Sequence, residues 1–171
     1  MELFKLIILA LSLILIISSG CGDTGIKSEI ALIPEGYITN ILQCGEYAPR
    51  PHNNQITGCC SCVDYIFDEG TLTITHSGAN FNCCAYVYAV ININENNINI
   101  EEKEGGEACY CQCLYQLEYE ITDLPFGDYN IILIEPNLLE GDDPLNFSID
   151  LKEDSAGVFC VERDHYPWNE N

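Results

Sequence analysis

Among the 171 residues, the cysteines are the side chains best able to do chemistry. Cys21 stands apart in context, next to an apolar run. The other ten are Cys44, Cys59, Cys60, Cys62, Cys83, Cys84, Cys109, Cys111, Cys113 and Cys160. A thiol can close a disulfide, hold a soft metal or cycle between redox states, and spacing separates these uses. Ten is an even number, as up to five bridges require. Residues i and i+2 on a strand lie about 6.8 Å apart with parallel Cβ vectors, too far for a bridge that needs Cβ atoms near 3.8 Å. Cys109, Cys111 and Cys113 therefore need partners on other segments. The vicinal pairs Cys59-Cys60 and Cys83-Cys84 would bridge internally only through a distorted peptide. All ten are disulfide candidates.

Metal is the competing use. Thiolate and imidazole suit zinc or copper(I), and an ion could take Cys109 with Cys111 or Cys111 with Cys113, but not all three, because the outer two are about 13 Å apart along a strand. With His76 and either Cys83 or Cys84 across a hairpin, such a pair makes a four-ligand site. The bland reading of His76 is a buried, hydrogen-bonded histidine. A redox use favours CxxC, which occurs once, at Cys59-Cys60-Ser61-Cys62, with no other redox signature.

The leader gives the clearest positional signal. Lys5 is its only positive charge, and residues 6–17 are apolar except for Ser12. A run of about twelve is short of the roughly 20 residues that span a membrane, which predicts a removed signal peptide over 1–20. Ser18-Ser19-Gly20-Cys21 directly after it resembles the lipobox of bacterial lipoproteins. That resemblance implies cleavage before Cys21, acylation of its thiol, and a lipid anchor in the membrane of the cell envelope, outside the cytoplasm.

The elements that must position the cysteines are strands. Residues 63–67, 72–76, 84–93, 98–102, 109–122, 129–135, 145–151 and 158–163 are rich in Ile, Val, Tyr, Thr and Phe and are separated by turn-forming clusters. Short strands at this spacing predict an all-β fold, an antiparallel β-sandwich of immunoglobulin-like kind. Residues 21–61 read as a tether followed by an extended or irregular segment with Pro34, Pro49 and Pro51, and 62–171 as the Cys-rich sandwich. Alternation assigns faces. Tyr115, Leu117, Tyr119 and Ile121 share an inward side, and by the same parity Cys109, Cys111 and Cys113 point inward too. Val87, Ile91, Phe147 and Ile149 join the expected core.

Charge excludes some partners. Six Lys and Arg against 27 Asp and Glu leave a net charge of −21, unchanged by loss of residues 1–20. Such a polyanion is repelled by nucleic-acid phosphate, so no nucleic-acid partner is expected, and by anionic lipid headgroups. The clusters Glu101, Glu102, Glu104, Glu107 and Glu140, Asp142, Asp143 lack EF-hand spacing and read as solvated acidic turns. There is no GxSxG, P-loop or GxGxxG motif, and His52, His76 and His165 suggest no triad. The tail His165-Tyr166-Pro167-Trp168 reads as an aromatic plug on the sandwich edge.

The segments His76-x-x-Ala79-x-Phe81-Asn82-Cys83-Cys84, Ile98-x-Ile100-x-Glu102, Cys109-x-Cys111-x-Cys113-x-Tyr115 and Gly157-x-Phe159-Cys160-Val161-x-Arg163-x-His165-Tyr166-Pro167-Trp168 together resemble a family of uncharacterised bacterial cysteine-rich lipoproteins. Gly78 stands where that pattern has Asn. The resemblance implies an exported, anchored domain and no catalytic role. The sequence thus predicts a lipid-anchored binding or structural module stabilised by disulfides, with a zinc or copper lipoprotein and a thiol-redox protein as alternatives.

Overall fold

Alternation of apolar and polar residues with period two commits most of the chain to strands with one wet and one dry face. A computed structural model describes residues 33–43 and 60–168, and the leader, Cys21, Cys44 and Cys59 lie outside them. The strands are β1 Glu35–Leu42, β2 Cys60–Asp68, β3 Thr71–Asn82, β4 Tyr86–Asn94, β5 Asn97–Gly105, β6 Gln112–Thr122, β7 Asp128–Ile134, β8 Leu145–Asp150 and β9 Ala156–Glu162. They form a five-stranded sheet in the order β1-β6-β3-β2-β9 and a four-stranded sheet in the order β4-β5-β7-β8. The architecture is the all-β sandwich that the spacing predicts.

Inward positions of both sheets share one core. Val63, Leu72, Ile74, Leu117, Tyr119 and Ile121 of the larger sheet meet Ile98, Ile100, Ile131, Leu133, Leu145 and Ile149 of the smaller. Val87, Ile91 and Phe147 are partly buried against this cluster. The tight hairpin β2–β3 pairs Asp68 with Thr71 around Glu69 and Gly70, both at positive φ, which matches the twist of the flanking strands.

Four details depart from expectation. The segment expected to be irregular supplies β1, an edge strand paired with β6 from Glu35 to Leu42. One ladder is parallel, β5 with β7, because the chain leaves the smaller sheet, runs through β6 in the larger one and returns in its original direction. Residues 77–82, expected as a loop, continue β3 past a bulge between Ser77 and Ala79. Gly78 makes that bulge possible: its φ is +87°, and a Cβ there would lie 2.7 Å from the carbonyl oxygen of Cys60. Finally, β6 begins at Gln112, so Cys109 and Cys111 precede the strand and are exposed instead of facing the core. Parity holds only inside a strand, and the turn residues before it do not obey it.

The two faces should respond differently to truncation. Ile100→Ala, in the core at 0% exposure, is expected to cost about 2–5 kcal/mol in urea unfolding. Ile66→Ala, on the outward face at 61% exposure, should stay within about 0.5 kcal/mol of the parent. Equal losses at both positions would contradict the assigned faces.

Candidate functional site

Inside the sandwich, six polar side chains occupy inward positions that would ordinarily be apolar. Each extends an apolar alternation: Ser61 precedes Val63 and Tyr65, His76 follows Leu72 and Ile74, Glu102 follows Ile98 and Ile100, and Tyr119 lies between Leu117 and Ile121. Glu135 follows Ile131 and Leu133, and Arg163 follows Val161. All six are buried. Beyond them the distal end of β3 carries Ala79 and Phe81, with Tyr115 packed edge-on to Phe81, so the polar layer divides the interior.

His76 is the hub. Its Nδ1 lies 2.7 Å from Glu102 Oε1, which also accepts the Tyr119 hydroxyl at 2.6 Å. Its Nε2 lies 2.7 Å from Ser61 Oγ and 3.8 Å from Glu135 Oε1. Glu135 accepts from the Ser61 hydroxyl at 3.2 Å and from Arg163 Nη2 at 2.7 Å. Arg163 Nη1 donates to the Asp143 carbonyl at 2.9 Å, and its guanidinium lies 5.7 Å from the Trp168 ring centroid. The Trp168 indole N–H donates to the Gly78 carbonyl at 2.9 Å.

The surrounding charges decide between the protonation states open to the hub. Ser61 has one proton for two neighbours, His76 Nε2 at 2.7 Å and Glu135 Oε1 at 3.2 Å, and it donates to Glu135 when Nε2 is protonated and to Nε2 when it is not. Nδ1 faces an oxygen that is already an acceptor for Tyr119, so Nδ1 carries a proton. With Nε2 also protonated His76 is a cation, set between Glu102 and Glu135 with Arg163 beside it. Burial opposes the imidazolium, but Glu102 and Glu135 outweigh it against opposition from Arg163, and the His76 pKa is raised above its ordinary 6.5. Burial and the adjacent Glu102 push the Tyr119 hydroxyl well above its ordinary range, which keeps it a donor. Glu102 Oε2 and Arg163 Nε are buried without hydrogen-bond partners.

Ser61, His76 and Glu102 have the spacing of a nucleophile, a base and its orienting carboxylate. Ser61 is 0% exposed, its hydroxyl enclosed with Glu135 Oε1 at 3.2 Å. The sequence offered one signal for this layer: the inward parity that carries Ile98 and Ile100 to Glu102. Reading Glu102 as part of a solvated acidic turn was wrong, because residues 101–105 continue β5 and Glu102 is 2% exposed.

The cysteines gather elsewhere. Cys83 bonds to Cys111 and Cys84 to Cys109. The vicinal pair sits in the turn between β3 and β4, where successive side chains need not oppose each other as they would in a strand. Asn82 organises the turn: its Oδ1 accepts the N–H groups of Cys84 at 3.0 Å and Cys109 at 3.1 Å, and its Nδ2 donates to the Cys109 carbonyl at 2.7 Å. Between the two bonds Tyr110 projects into solvent. Cys62 bonds to Cys160 across the β2–β9 ladder, and Cys113 is disulfide-bonded as well.

This corrects the four-ligand site. Cys83, Cys84, Cys109, Cys111 and Cys113 are disulfide-bonded and offer no thiolate, and His76 joins carboxylates and a serine, not sulfur. Among the described residues, no group of three or more His, Cys, Asp or Glu side chains is arranged to hold a metal ion. Cys160 is bonded to Cys62 and so is not a partner of Cys109, Cys111 or Cys113. The tail does act as a plug, with Trp168 4% exposed and His165 edge-on to it at 5.0 Å.

A group whose pKa rises on folding contributes stability that is complete below its unfolded pKa and is lost as pH climbs through the folded value. His76 should therefore make the protein less stable as pH rises above about 6.5. His165, which is partly exposed beside Asp142, also has a raised pKa and adds a smaller fall of the same sign. Urea unfolding across this range should show the fall in the parent and in His165→Gln, but not most of it in His76→Gln. Below pH 6.5 His76→Gln should cost about 3–5 kcal/mol, because it leaves two buried carboxylates with one cation. An unchanged pH slope in His76→Gln would contradict the cationic assignment. These tests must be made on the chain itself, because no family model, no curated protein and no solved structure matches it.

Proposed function

We propose that the protein is a lipid-anchored, extracytoplasmic binding module whose sandwich is a rigid support for a recognition surface, and that it is not an enzyme. The observation that carries this reading is the oxidised cysteine set. Bonds Cys62–Cys160, Cys83–Cys111 and Cys84–Cys109, with Cys113 oxidised too, are the usage of a chain matured in an oxidising compartment. The bonds close loops of 98, 28 and 25 residues, and each is worth about 3–5 kcal/mol by loop entropy. The lipobox-like Ser18-Ser19-Gly20-Cys21 supplies the anchor in this reading.

Two further features favour binding over catalysis. Ser61, which lies 2.7 Å from His76, is sealed in the interior with Glu135 also within reach of its hydroxyl at 3.2 Å. Exposed large apolar side chains, by contrast, include Tyr86, Tyr88 and Tyr110, all at or beside the end of the molecule that two disulfides stiffen.

Anchoring is tested by radiolabelled palmitate. The parent expressed in a bacterial host should incorporate label, partition with membranes and lose residues 1–20. Cys21→Ala should lose the label and retain its leader. Unlabelled parent, or Cys21→Ala processed and membrane-bound as before, would overturn the anchor.

A further inference from the structure

The outer face of the smaller sheet carries a feature that neither the buried layer nor the disulfides explain. Tyr86, Tyr88 and Val90 are successive outward positions on edge strand β4, exposed by 64%, 41% and 39%. Tyr86 pairs with Gly105 on β5, and a Cβ at Gly105 would lie 2.6 Å from the ring's Cζ and hydroxyl oxygen. The ring therefore occupies the space that a side chain at 105 would take, and lies flat over the sheet with one face to solvent. The Tyr88 ring centroid is 5.8 Å away at an interplanar angle of 30°. With the Tyr86 ring laid against the position of a Gly105 Cβ, the Tyr88 ring continues the same outward surface at that inclination.

Polar groups border this platform on the same face. Lys103 is opposite Tyr88 and Glu101 opposite Val90, and the two form an ion pair at 3.0 Å. Asn92 and Asn99 follow as the next outward pair. Tyr110 belongs to the same end of the molecule: Cys84 and Cys109 have Cα atoms 5.8 Å apart, which puts the Tyr110 Cα within about 17 Å of that of Tyr86 by chain reach.

We propose that Tyr86 and Tyr88 form a binding platform for a neutral, β-1,4-linked glycan. The electron-rich faces of two rings inclined at 30° take the C–H groups on the flat face of a pyranose. Neighbouring carboxylate, ammonium and amide groups supply hydrogen bonds to its hydroxyls. The rings stand in line about one sugar unit apart, which suits a straight, ribbon-like chain. A net charge of −21 disfavours a polyanionic partner and imposes no such penalty on a neutral one. Because the glycine seat holds the Tyr86 ring before any ligand arrives, little side-chain entropy remains to be lost on binding. The inference deepens the reading of the chain as an exported binding module and rests on it.

The test uses the full-length chain, expressed with its leader and purified from whichever fraction holds it, titrated by calorimetry with cellohexaose and with chitohexaose. Saturable binding of at least one is expected, weakened by about tenfold or more in Tyr86→Ala and in Tyr88→Ala. Gly105→Val, which lifts the ring, should weaken it similarly, and Phe126→Ala, an exposed aromatic elsewhere, should not. Circular dichroism and thiol counting should match the parent in each variant. No saturable binding of either hexasaccharide, or binding insensitive to the tyrosine changes, would overturn the proposal. So would a concentration-dependent dimer that Tyr86→Ala abolishes, because a second copy would then be the occupant. The fraction in which the protein is found reports on anchoring separately, so failure of one reading is distinguishable from failure of the other.

Discussion

The ionic layer of His76, Glu102, Glu135 and Arg163 is the constraint around which the sandwich is arranged. Four formally charged side chains sit where hydrocarbon would be cheaper, and taking each out of water costs several kcal/mol. That cost is offset only if every member reaches its partner at hydrogen-bond distance, as at 2.7 Å for His76 with Glu102 and for Arg163 with Glu135. The members come from β3, β5 and the ends of β7 and β9, so both sheets are tied through it. A slip of one residue in any of these strands would turn a charge outward and leave its partner buried and alone. The layer therefore penalises wrong registers more heavily than a hydrophobic core does, since a core tolerates repacking.

One disulfide braces this layer and two act where it does not reach. Cys62–Cys160 joins β2 to edge strand β9 next to Ser61 and Val161, holding β9 in the register that delivers Arg163. The bonds Cys83–Cys111 and Cys84–Cys109 close the corner at which β3 and β6 run out of ladder. There Asn82 substitutes for missing strand neighbours by accepting and donating to backbone groups across the turn. The interior is set by charge pairing and apolar packing, and the exposed corner by covalent bonds that water cannot compete with.

A support built this way leaves its outer faces free of structural duty. On the smaller sheet, the outward residues of β4 make no contribution to the core, yet one ring is seated in a gap left by a glycine. The same rigidity extends to Tyr110, which is held between two bonded cysteines. Aromatic groups presented on a stiff frame have little freedom left to lose.

Much was legible in the sequence because a strand's period of two is local. Strand-forming residue content and turn spacing marked eight of the nine strands, and alternation marked the inward residues Leu117, Tyr119, Ile121 and Ile149. Parity says whether a side chain points in, but not whom it meets. That Ser61, His76, Glu102, Tyr119, Glu135 and Arg163 converge depends on contacts spanning 15 to 74 residues, which only the folded sheets create. The same limit hid which cysteines pair. The five-stranded sheet had to accept β1 at its edge, despite its surrounding prolines, for Gly36 to pack against Ile91 of the other sheet. Local chemistry decided which face each residue takes. Tertiary structure decided the partners, because partnership is a property of two distant segments and is written in neither alone.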